Sequence, residues 1–76
     1  MEDAVNGYVV VMEQDETGGY GAWSPDLPGC VAVSRDYDEC ITLMEGAIQM
    51  HLEGMREDGD PIPVPSAVGA LIVPAA

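Results

Sequence analysis

The chain has 76 residues and a mass of 8.0 kDa, and its two basic residues, Arg35 and Arg56, stand against 14 acidic ones for a formal net charge of −12. One domain is the ceiling at this length, and two arginines cannot build a phosphate-neutralising face, which argues against direct nucleic-acid binding. No apolar run approaches the about 18 residues of a membrane span, Glu2 and Asp3 have the wrong sign for a signal peptide, and two cysteines make no disulfide framework, so the expected compartment is the cytoplasm.

Residues 4–14 read as a first strand. Val5, Gly7, Val9 and Val11 fall on one side and Tyr8, Val10 and Met12 on the other, which predicts an interior strand covered on both faces. Asp15-Glu16-Thr17-Gly18-Gly19 is turn chemistry, and residues 20–23 complete a hairpin. Ser24-Pro25-Asp26-Leu27-Pro28-Gly29 is a loop, because two prolines cannot carry a ladder through it. Residues 30–34 form a third, short strand.

Asp36 is a good N-cap, with Glu39 at the capping-box spacing. The helix is predicted over 37–58, stopped by Gly59 and Pro61. Tyr37, Ile41, Met44, Ile48, Leu52 and Met55 make its core stripe. Asp38, Glu45, Gln49, Glu53 and Glu57 face solvent, while Leu43 and Met50, one heptad apart, lie outside the stripe. Pro61-Ile62-Pro63-Val64-Pro65 is extended by necessity, and residues 70–73 read as a last strand stopped by Pro74. The predicted order is β-β-β-α-β, an α+β domain of one sheet and one helix.

Little here points to reactive chemistry. Cys30, Cys40 and His51 match no zinc spacing, and the eleven residues between Cys40 and His51 span about 16 Å of helix. Cys40 reads instead as a small packing residue and His51 as a core-margin residue. A catalytic cysteine needs an electropositive surround, and this one is acidic. Glu13 and Asp15 at a strand end and Asp36 at a helix start could converge on metals, but a nuclease must also hold a polyanion that this surface repels. The acids read as a solvated face. No catalytic residue, metal or cofactor is assigned.

The apolar surplus says more. Hydrophobic residues make up 47% of the chain, so acidity does not mean disorder. A domain this small buries only about 60% of its unfolded surface, and one helix covers only one sheet face. A homo-oligomer, dimer or higher, is therefore expected, with Tyr8 and Val10 on the sheet and Leu43 and Met50 on the helix as interface residues. A basic partner would relieve the self-repulsion.

The run Gly19-Tyr20-Gly21-Ala22-Trp23-Ser24-Pro25-Asp26-Leu27-Pro28-Gly29-Cys30 resembles the signature of HicB-type antitoxins. The preceding Tyr8-Val9-Val10-Val11 fits as well. So do the helix with Ala47-Ile48 and His51-Leu52-Glu53, and the Asp58-Gly59-Asp60-Pro61-Ile62-Pro63 run that follows. The resemblance covers roughly residues 6 to 74. It implies a partial, degenerate RNase H-like sheet plus helix without a working nuclease site. It also implies binding of a small basic HicA-type toxin, an mRNA-cleaving enzyme whose access to RNA the antitoxin blocks. Many family members add a carboxy-terminal DNA-binding segment; the expectation for residues 1–76 is a single domain without one.

Expected partner contacts are Glu13, Asp15 and Glu16 at the hairpin, and Trp23 with Pro25 and Asp26 at the strand end. Interface hot spots favour large aromatics, although Trp23 suits a core position equally well. Two other readings are a small acidic oligomer without a toxin and a vestigial RNase H-like metal-dependent nuclease.

Overall fold

The computed structural model describes residues 7–75. Strands β1 (Val11–Gln14), β2 (Tyr20–Trp23) and β3 (Val31–Ser34) precede helix α1 (Tyr37–Asp58). The sheet is an antiparallel meander in the order β1-β2-β3. Three antiparallel strands and one helix make an α+β fold.

Local chemistry explains each element. In the hairpin, Asp15 Oδ1 accepts from Thr17 N (2.9 Å), Thr17 Oγ1 (2.7 Å) and Gly19 N (2.9 Å), and Gly18 takes φ +89°. Gly19 packs closely on the same carboxylate: a Cβ there would meet Asp15 Oδ2 at 3.2 Å. Arg35 closes the turn from β3, donating to Thr17 Oγ1 and to the Thr17 carbonyl. At α1 the Asp36 carboxylate accepts from Glu39 N at 2.8 Å, and Ser34 Oγ donates to the Glu39 carboxylate. The far end is a left-handed cap on Gly59 (φ 74°), with Asp60 N donating to Met55 O at 2.8 Å.

The sheet register sorts its side chains. Met12, Ala22 and Ala32 share one face, and so do Gln14, Tyr20 and Ser34; Val11, Trp23 and Val31, then Glu13, Gly21 and Val33, share the other. Helix α1 crosses the first face over β3 and β2 without reaching β1. The core there comprises Ala22, Leu27, Cys30, Cys40, Met44 and Leu52, with Tyr8, Val10, Met12, Tyr20, Ala32, Ala47 and Ile48 packed around it. Tyr37, predicted in the core stripe, is half exposed at the helix start and makes an edge-to-face contact with Tyr20.

Three expectations need correction. The first strand, predicted over 4–14, spans only Val11–Gln14; residues 7–10 are unpaired and 4–6 lie outside the described residues. The reason is its neighbour: β2 ends at Trp23, opposite Val11, where Ser24 and Pro25 turn the chain away. Among the described residues the sheet is covered on one face, not both, because α1 lies on the Ala22 side. Finally, no strand forms at residues 70–73, so the described residues show β-β-β-α rather than β-β-β-α-β. Residues 68–75 lie open to solvent without a neighbouring strand to pair with, and the tail is held at its start by a carboxylate described below.

Candidate partner-binding surface

The uncovered sheet face has two chemically different ends. At one end Val11, Trp23 and Val31 stand side by side across the three strands. Trp23 is 39% exposed and Val31 61%. Toward the hairpin, Val33 is 75% exposed beside Glu13 and Gly21. A shallow, open concavity there is lined by Glu13, Asp15, Gly21, Val33 and Arg35. An apolar strip thus runs into an acidic rim on one continuous surface.

The structure places the expected contacts in different settings. Glu13 and Glu16 are exposed, the first on the open face and the second at the turn tip. Asp15 is engaged within the turn, and the Thr17 hydroxyl, ahead of the Gly19 amide, holds its carboxyl below the usual carboxylate range. Trp23 belongs to the open face and not to the core. Pro25 is exposed in the following loop.

Asp26 clasps the carboxy-terminal segment. Its carboxylate accepts from Ser66 Oγ (2.6 Å), Ser66 N (3.0 Å) and Ala67 N (3.0 Å). These hydrogen bonds, Ser66's hydroxyl first, hold its carboxyl below the ordinary range. Tyr8 makes a second tie by donating its hydroxyl to Pro63 O at 2.5 Å. Pro63, Pro65 and Ala67 are half-buried while Ile62, Val64 and Ser66 are exposed, so the segment lies along the domain with alternating contact.

The expected self-association residues also divide. Tyr8 and Val10 are half-buried against the core, whereas Leu43 and Met50 are exposed on α1. Residues that sequence reasoning did not single out are Val31, Val33 and the tail. Alternation in Val31-Ala32-Val33-Ser34 carried the signal for the first two.

Cys30 and Cys40 are free, buried thiols. Burial pushes the Cys30 thiol up, away from thiolate. Cys40 Sγ lies 3.7 Å from Ala32 O, packed between helix and sheet. Among the described residues no helix is long and apolar enough to cross a membrane.

Comparison with known proteins finds relatives over most of the chain. A UPF0150 protein of Synechocystis sp. is 30% identical over 59 residues, covering 78% of this chain and 75% of that one. A UPF0150 protein of Archaeoglobus fulgidus is 37% identical over 55 residues, covering 70% and 80%. One of Helicobacter pylori is 38% identical over 48 residues, covering 63% and 65%. The family described as HicB_like antitoxin of bacterial toxin-antitoxin system matches residues 8–75, almost the whole described structure, and the chain belongs to that family.

Proposed function

We propose that this protein is the antitoxin of a type II toxin-antitoxin pair, and that it silences a small basic, HicA-type mRNA-cleaving toxin by occupying the surface the toxin needs for RNA. The single observation that carries this reading is the uncovered sheet face, where Val11, Trp23, Val31 and Val33 adjoin Glu13 and the acidic hairpin. A field from a −12 chain speeds capture of a cationic partner and weakens with salt. Steering alone gives no residence time, so the desolvated apolar strip must supply it. Such a chain acts as a competitor for a basic surface and needs no reaction of its own. We further infer that it self-associates, which supports a core this small, and that it does not bind nucleic acid directly.

The test is to look for a short Lys/Arg-rich reading frame beside its own and to co-express that product with this protein. The expected result is a stable complex and loss of mRNA cleavage when this protein is in excess. A toxin that stays active under those conditions, with no basic protein co-purifying from the native host, overturns the reading. A gel shift with RNA or DNA at about 0.15 M salt, where weak phosphate contacts are screened, would overturn the nucleic-acid part alone.

A further inference from the structure

Val68, Leu71, Ile72 and Val73 lie between 71 and 96% exposed, and all eight residues from 68 to 75 are open to solvent. This run does not start from a loose end. Ser66 and Ala67, immediately before it, are fixed by the Asp26 carboxylate. In extended form Ala70 and Ile72 would project to one side, Leu71 and Val73 to the other. A segment apolar on both sides suits a sheet edge that is apolar on both sides.

Strand β3 offers that edge. It is the outer strand of the meander and carries none of the charges, prolines or bulges that protect free edges from pairing. Val31 and Val33 flank it on the open face. Beside the same edge a groove between β3 and α1 is lined by Cys30, Ala47, Met50 and His51, with Met50 74% exposed at its rim. The opposite edge, β1, bears Glu13 and ends in the acidic turn.

We propose that residues Val68–Val73 of one copy add as a strand to the free edge of β3 in a second copy, reciprocally, about a two-fold axis. Charge favours this occupant. Every ionisable side chain lies within residues 2–60, and no side chain in residues 61–76 carries a charge. A neutral arm therefore joins two bodies of like charge without adding to their repulsion. Area also suffices. Residues 68–75 expose about 1,000 Å² as an extended chain. Burying half of each of two tails, with a matching area on each receiving edge, removes about 2,000 Å², above the roughly 1,200 Å² of a stable interface. Reach is adequate too, since eight extended residues span about 27 Å and a four-residue strand about 13 Å.

The inference rests on the self-association proposed above and is independent of the toxin. The full chain should sediment at about twice 8.0 kDa at micromolar concentration, and a chain stopped after Ala67, its helix verified by circular dichroism, should be monomeric. Should the shortened chain lose its helix, full-length I72D serves in its place with the same expected result. Mixing V33C and I72C copies under mild oxidation should give a disulfide between the two species. A monomeric full chain overturns both self-association and this arrangement. A dimer that survives loss of the tail, or cross-links between V33C copies alone, leaves self-association standing and overturns the strand exchange. In a chain carrying both V33C and I72C, a cross-link within a single 8.0 kDa species shows the tail returning to its own β3 and overturns the strand exchange as well.

Discussion

Replacing Trp23 by alanine separates anchoring a partner from holding the fold. The side chain is 39% exposed, so its surface divides into an open share and a covered share. A tryptophan brings up to about 250 Å² to a contact. The open share is then about 100 Å², which at about 25 cal/mol per Å² corresponds to about 2.5 kcal/mol on full burial by a partner. That is about 60-fold in Kd. The covered share of about 150 Å² sets a ceiling of about 4 kcal/mol on the stability lost, before allowing for what alanine retains and for residual burial in the unfolded chain. A domain of this size holds about 4–11 kcal/mol in total, so the variant is expected to stay folded with a lowered urea midpoint. The assay pairs urea unfolding with surface plasmon resonance against the basic partner. The expected change is faster dissociation with little change in association. A folded W23A chain that binds within threefold of the parent would refute the anchor and move the binding site off the open sheet face.

Reversing Glu13 and Glu16 together to lysine should slow association several-fold and flatten its salt dependence while leaving the fold intact, because both are exposed and neither supports the turn; stopped-flow kinetics read this, and an unchanged association rate would count against the acidic rim. Asp15 is left alone because its carboxylate organises residues 17 and 19. The carboxyls of Asp26 and Asp15 are held below their ordinary range, so each contributes above its unfolded pKa of about 3.9 and that contribution is lost as pH falls through the lower folded value. The amide shifts of Ser66 and Ala67 should therefore hold from pH 7 to about 5 and move in strong acid as the carboxyl protonates; Ser66 and Ala67 amide shifts left unchanged by D26A would remove Asp26 from the clasp. Two glycines should respond in opposite directions in thermal melts: G46A, in the helix with open space around it, should gain about 1 kcal/mol, and G59A, at φ 74°, should lose about 1–2 kcal/mol.

The legible parts of the fold are those written in neighbouring residues. Asp36 with Glu39, and Gly59 with Pro61, mark the ends of α1, because caps act over three or four positions. Asp15 to Gly19 marks the hairpin for the same reason. The length of β1 was not legible from β1 itself, since it depends on where Pro25 ends the neighbouring strand. The fate of residues 70–73 depends on a pairing edge, which local composition does not supply. Asp26 illustrates the same limit at the site. As a loop acid beside Trp23 it reads as a partner contact, yet its carboxylate is engaged by Ser66, 40 residues away. Trp23 satisfied both a core and a surface reading until the register placed it between Val11 and Val31. Residues of the apolar strip proposed for binding are therefore identifiable by type in the sequence, but their common face emerges only from strand pairing.

The separation of charge along the chain makes the two proposed associations distinguishable by salt alone. Capture of a basic partner draws on the whole −12 field of residues 2–60. Self-association through a neutral tail draws on apolar burial and works against that same field. Raising ionic strength from about 0.05 M to about 0.5 M shortens the screening length from over 10 Å to less than half of that. Association with the partner should then slow by an order of magnitude or more, as steered encounters do, while the dimer should hold or tighten as repulsion between like bodies is screened. Sedimentation and stopped-flow measurements over one salt series read both quantities. If the dimer instead dissociates in step with the loss of partner capture, its contacts are ionic, and an interface built from Val68, Leu71, Ile72 and Val73 against β3 cannot be what holds it.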